Sequence, residues 1–179
     1  VYSEQMLRSM GIYQIALLAE YKAGDTVTLP HNEGQYTAIY NCGTAHGFYI
    51  NYTLYELNTD DILFFDSDTM LTGTEHSEGK NTHFYMLTFK NGPEFLSLDD
   101  SYRKNLFIHI SKYLIMRSKG NANLKHYFGL AFQENSSLPK ELIIKSCIPL
   151  IFAELINCCD YHSMNGADWT EAREANALQ

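Results

Sequence analysis

The side chains of this chain best suited to chemistry are its 7 histidines and a scatter of carboxylates. His31 stands in LPHNEGQ with Glu33 two residues on, and His46, His76 and His83 follow at wide intervals. A metal centre with an open position needs several imidazoles and a carboxylate converging on one ion. No H-x-H occurs around His31, and His76 falls several residues too late after Asp61-Ile62-Leu63-Phe64-Phe65 to complete a second ligand motif. A metal held by some of His31, Glu33, His46, His76 and His83 is therefore the minor reading. Asp60-Asp61 could pass for an acid pair, but they lie between two apolar runs and read as turn residues. G-x-S-x-G, H-E-x-x-H and Walker-type glycine loops are absent. Gly43-Thr44-Ala45-His46-Gly47 lacks the helix and the Lys-Ser/Thr pair of a phosphate cradle. No catalytic residue, metal or cofactor is assigned.

The 4 cysteines are Cys42, Cys147, Cys158 and Cys159. They form no C-x-x-C, and the adjacent pair is poorly placed for a mutual disulfide. Three of them lie in an apolar helical stretch. They read as buried, reduced thiols of a cytoplasmic protein. No apolar run approaches membrane-span length and no signal peptide is visible, so no membrane partner is expected.

Charge narrows the partners. Residues 1–99 carry 4 basic and 13 acidic side chains, and residues 100–162 carry 8 basic and 5 acidic. Phosphate binding needs clustered Lys and Arg, so neither part reads as a nucleic-acid surface. The chain is instead rich in rings, with Tyr 13 and Phe 10. Tyrosine supplies an apolar body and one polar handle, which suits cores and polar-ligand pockets alike.

The elements that would position these side chains fall into two blocks. After a short amphipathic lead-in at 1–10, apolar runs at 12–20, 27–29, 36–42, 47–50, 53–57, 62–65 and 83–89 are separated by Gly, Asn and Asp turns. Asn51-Tyr52 closes a hairpin, and 66–81 is polar and turn-rich. Such spacing predicts an antiparallel sandwich or barrel over about 12–95. From 98 to 162 the period becomes helical. Asp99 or Asp100 could cap the first helix, and Pro139 stands near the start of the last. The last helix, about 140–162, carries Ile144, Ile148, Ile151 and Leu155 as one stripe, with further apolar residues on either side and Pro149 inside. A helix packed on one side shows a single stripe of little over 100°. Two readings follow: a second surface for a partner subunit, or a central helix buried in a monomer.

The order Tyr55-x-Leu57, Asp61-Ile62-Leu63-Phe64-Phe65, a polar loop, then Phe84-Tyr85-Met86-Leu87-Thr88-Phe89 resembles the β-barrel sensor domain of AraC-type transcription regulators. The pattern there runs roughly Y-x-L-x-x-G-D-L-x-L-I, a loop, then Y-Y-W-I-H-F. This chain departs from it at Asp60 for Gly, Met86 for Trp and Thr88 for His. The resemblance covers His31 to Phe89 by motif and Pro139 to His162 by architecture.

The resemblance implies an α+β chain, with an antiparallel cupin-like β-barrel or jelly roll at 1–97. An α-helical dimerisation segment at 98–162 follows, then a linker at 163–179 toward a helix-turn-helix domain outside this chain. It implies a small-molecule effector, a sugar or other small polar molecule, inside the barrel. The expected ligand-binding residues are His31 at the mouth with Tyr36, Tyr40, Tyr49, Met86 and Thr88. A sugar-stacking Trp cannot be carried over to Met86. The expected homodimer pairs the last helix antiparallel through Ile148, Ile151 and Leu155, flanked by Ile144 and Cys158. DNA is reached only through the domain outside this chain. Two alternatives stand beside this: a cupin-type metal-dependent enzyme (isomerase or dioxygenase), and a domain that dimerises without binding a small molecule.

Overall fold

The structure, a computed structural model, describes residues 4–19, 33–50, 52–66, 71–75, 83–133 and 137–164. Its order is α1 (Glu4–Ser9), β1 (Ile12–Ala19), β2 (Gln35–Asn41), β3 (His46–Ile50), β4 (Thr53–Leu57), β5 (Asp61–Asp66), β6 (Leu71–Glu75), β7 (His83–Lys90), α2 (Asp100–Ser111), β8 (Arg117–Lys119), α3 (Ala122–Ala131) and α4 (Lys140–Met164). The class is α+β. Among the described residues the strands pair into two separate antiparallel sheets, β1-β7-β2-β5-β8 and β4-β3-β6. The expected strand at 27–29 lies outside the described residues.

The larger sheet is buried on both faces. Its β5 and β7 are apolar nearly throughout, DILFFD and HFYMLTFK, as a two-faced strand requires. Side-chain alternation divides them. Ala38, Tyr40, Ile62, Phe64, Tyr85, Leu87 and Phe89 join a core with the helices. Ile39, Leu63, Phe65, Phe84 and Met86 join a second core with Phe48, Tyr55 and Leu57 of the smaller sheet. The helices thus cover the outer face of the large sheet, and the small sheet covers its inner face.

Two strands depart from the sequence reading. β6 falls in the stretch read as polar turns, and pairs with β3. β8, where the sequence suggests the end of one helix at Arg117 and a polar break from Lys119, pairs Arg117, Ser118 and Lys119 with Leu63, Ile62 and Asp61. Three polar residues carry no strand propensity, so tertiary pairing alone extends them. Their charges also blunt the sheet edge. Arg117 and Lys119 each stand 3.8 Å from the buried Asp61 carboxylate. Gly120 follows, and a Cβ there would come within 2.6 Å of the Tyr40 ring. A side chain at 120 would collide with that ring and crowd the Asp60 carbonyl.

The Tyr55–Phe65 segment also differs from a simple hairpin. β4 belongs to the small sheet and β5 to the large one. The Asn58–Asp60 turn therefore carries the chain between sheets. Asn58 N–H donates to the Asp61 carboxylate at 2.7 Å. Asp60, with φ +70°, lies in the left-handed region that glycine favours and Asp tolerates.

Helix α4 corrects two expectations. It is long and apolar enough to cross a membrane by length and composition, over Lys140–Tyr161. Its apolar stripe is accounted for inside the molecule: Ile144, Ile148, Ile151 and Leu155 are fully buried and Cys158 nearly so. The five residues expected at a subunit seam are core residues of the chain's own fold. Phe152 stands edge-on to Phe89 at 4.7 Å and to Phe95 at 4.9 Å, which docks the helix on the sheet. The helix runs unbroken through Pro149, whose ring lies on the exposed side. Asn121 caps α3 by accepting from Leu124 N–H at 2.9 Å, and donates to Glu154 of α4 at 2.8 Å. Asp99 occupies the cap position of α2, but its side chain accepts no capping bond.

Candidate functional site

The inner face of the large sheet is built by register. Thr37 pairs with Thr88, and Ile39 with Met86, across β2 and β7. On the far side of β7, Gln14 pairs with Thr88 and Ala16 with Met86. On the far side of β2, Thr37 pairs with Phe65 and Ile39 with Leu63. Directly opposed residues share a face. The inner face is therefore apolar around Met86 and turns polar at Thr88, Thr37 and Gln14.

Thr37 and Thr88 are buried, and their hydroxyls hydrogen bond at 3.1 Å. One shared proton satisfies one donor and one acceptor. Two hydroxyls hold two protons and four lone pairs, so the pair retains a donor and further acceptor capacity. Set in an apolar wall, it can orient a small molecule bearing a hydroxyl or carbonyl. Among the described residues the bond between the two hydroxyls joins no ionisable group.

The six expected ligand-binding residues are not brought together. Met86 and Thr88 lie on the inner face. Tyr36 pairs with Phe89 and Tyr40 with Tyr85, which puts both tyrosines on the helix side. The Tyr36 ring stacks on Phe89 at 5.8 Å and tilts against Phe107 at 5.1 Å. Tyr40 stacks on Phe128 at 6.0 Å. Tyr49 neighbours Phe48, which faces the inner core, so alternation turns Tyr49 to the outside of the small sheet with its partner Leu54. His31 lies outside the described residues. Thr37, Gln14 and Ile39 were missed. The alternation of β2 was legible, since 37 and 39 share a face opposite 36 and 40. Which face meets Met86 depends on the β2–β7 register, and a shift of one residue exchanges them.

Tyr40 and Cys42 lie on the helix side. The Tyr40 hydroxyl donates to Asp60 at 3.0 Å. Burial raises the Tyr40 phenol above its usual range, with Cys42 and Asp60 adding to the effect. Burial also pushes the Cys42 thiol up to about 11. Neither group is activated for chemistry near neutral pH.

Metal ligation has little to build on here. Among the described residues no three His, Cys, Asp or Glu side chains converge. His46 is buried with its ring against Phe48 at 4.9 Å and Phe84 at 5.7 Å. The His83 ring lies edge-on to Tyr85 at 5.4 Å, and Glu33 is exposed. His76 lies outside the described residues.

No protein family and no curated protein matches the chain by sequence. Among solved structures it is similar to ToxT from Vibrio cholerae, an AraC-family regulator, at 11% identity and a TM-score of 0.52. That likeness covers 83% of this chain and 57% of ToxT. It is also similar to a predicted oxalate decarboxylase from Thermotoga maritima, at 18% identity and a TM-score of 0.42, over 50% of this chain and 76% of that one. At such identities the ToxT likeness concerns the fold: two antiparallel sheets with helices packed on one of them.

Proposed function

We propose that this chain is the effector-sensing and dimerising part of an AraC-type transcription regulator, without a reaction of its own. The observation that carries the reading is the Thr37–Thr88 hydroxyl pair, set beside Gln14 where the mostly apolar wall between the sheets turns polar. Ligand sites are mostly apolar concavities with a few placed polar groups, and this face has that composition. Support comes also from the motif order at Tyr55–Phe89 and from a fold like that of ToxT over most of the chain. The effector is a small polar molecule such as a sugar, held by Thr37, Thr88 and Gln14 over Met86. Binding is read out through a helix-turn-helix domain outside residues 1–179, in the cytoplasm.

The dimer uses the outer side of α4, since the inner stripe is occupied. Leu142 and Leu150 are 57% and 43% exposed there, beside the exposed Pro149 and Ala153. Apolar residues gathered on one solvent-facing side suit a self-complementary two-fold contact.

A thermal-shift series with pentoses and hexoses tests the effector site. A stabilising sugar should lose its effect in Thr37→Val/Thr88→Val, which keeps the shape and removes both hydroxyls. An undiminished shift in that variant refutes the site.

A further inference from the structure

A pocket lies outside the space between the sheets, on the helix side. It measures about 340 Å³ and is lined by Tyr36 of β2, Asn91 just after β7, and Lys104, Phe107, Ile108 and Ser111 of α2. We propose that it binds a small, flat aromatic carboxylate.

The floor is aromatic. The Tyr36 and Phe107 rings meet at 5.1 Å with their planes 58° apart. Ile108 is 63% exposed and forms an aliphatic wall on which a ring could rest. The rim is rich in donors. Asn91 uses its Oδ1 to accept from Arg103 Nε at 3.1 Å, which leaves its Nδ2 protons available. Arg103 is matched by Asp100 at 2.8 Å. Lys104, one residue on, pairs with no carboxylate among the described residues and is exposed. Ser111 donates its proton to the Phe107 carbonyl at 2.7 Å, so it offers the pocket lone pairs only. The Tyr36 hydroxyl can serve either way.

An unmatched ammonium and an amide over two rings select a ligand with a negative head and an apolar plane. Ammonium and amide donors stabilise an anion, and the rings accept a flat body by stacking. Ligand pockets start at about 300 Å³, so this one accommodates a single ring. The site is independent of the sugar site proposed above, because alternation and register put it on the opposite face of the sheet.

Sodium benzoate is the probe, titrated into the full chain and followed by amide ¹H–¹⁵N shifts. Saturable shifts should cluster at Asn91 and residues 104–111. Benzamide, with the same ring and no charge, should bind more weakly. Lys104→Met, at an exposed position, should keep the melting temperature and weaken benzoate by about fivefold, the worth of one exposed charge contact. Absence of saturable shifts overturns the proposal. So do shifts confined to Thr37, Met86 and Thr88, or benzoate binding unchanged in Lys104→Met.

Discussion

The Tyr40 hydroxyl reaches the Asp60 carboxylate at 3.0 Å, and so fastens the turn that carries the chain from the small sheet to the large one. Backbone bonds reinforce it: Asp60 N–H donates to Asn41 and Gly120 N–H donates to Asp60, both at 2.6 Å. The turn is thus tied to β2 on one side and to β8 on the other.

Substitutions at Asp60 should separate the backbone from the side chain. Asp60→Gly relieves the left-handed φ of +70° and loses one hydrogen bond, so its net cost should stay within about 1 kcal/mol. Asp60→Val keeps the strain, adds a β-branch and loses the same bond, for roughly 2–4 kcal/mol. Urea melts of the two variants compare them. Equal stabilities would refute a conformational role for this residue.

The placement of Asp60 also shows how far the sequence could be read. The resembling pattern has Gly where Asp60 stands, and the positive φ explains why that position favours Gly. Most strands were legible because alternation and turn residues are local signals. β6 and β8 were not, because LTGTE and RSK gain their extended form from partners distant in sequence. The apolar breadth of α4 was visible, but its orientation was not. Periodicity finds a stripe without saying which body covers it. The tyrosines failed as a group for the same reason: composition suggested a lined pocket, while register divided them between two faces.

The Thr37–Thr88 pair should behave as a coupled unit. Thr37→Val or Thr88→Val alone leaves one buried hydroxyl unsatisfied, at a cost of about 1–3 kcal/mol. The double variant removes both and should be nearly neutral. A double-mutant cycle in urea measures the coupling. Additive losses would mean that the two hydroxyls find separate partners.

The thiols should make the fold sensitive to alkali. Burial pushes Cys159 from its ordinary 9.0 to about 12 and Cys158 to about 11, and raises Cys147. Unfolded thiols lose their protons near 9, while folded Cys158 and Cys159 keep theirs until about 11 and about 12. The unfolded state then binds fewer protons, so stability falls as pH rises through that window. The contribution is complete below about pH 9. Denaturation midpoints should therefore be flat on this account near neutrality and decline above pH 9. Native Cys147, Cys158 and Cys159 should also resist iodoacetamide near neutral pH, since the thiolate is the nucleophile. Rapid alkylation of the folded protein at Cys159 would contradict this burial.

Neighbouring positions on α4 give the sharpest test of which side faces the core. Ile151 is fully buried and Leu150 is 43% exposed. Truncating a buried Ile costs about 2–5 kcal/mol, and placing an ammonium there adds desolvation. Ile151→Lys should therefore unfold the chain, or nearly so. Leu150→Lys, on the solvent side, should change stability by about 0.5 kcal/mol or less in the monomer. Sedimentation then reads the partner. If the outer side of α4 is the two-fold contact, Leu150→Lys converts a dimer into a folded monomer, because a like charge meets its copy across the axis. A wild-type chain that stays monomeric at high concentration removes the dimer and leaves the packing intact. A folded Ile151→Lys beside an unfolded Leu150→Lys would reverse the helix and overturn both the packing and the contact drawn from it.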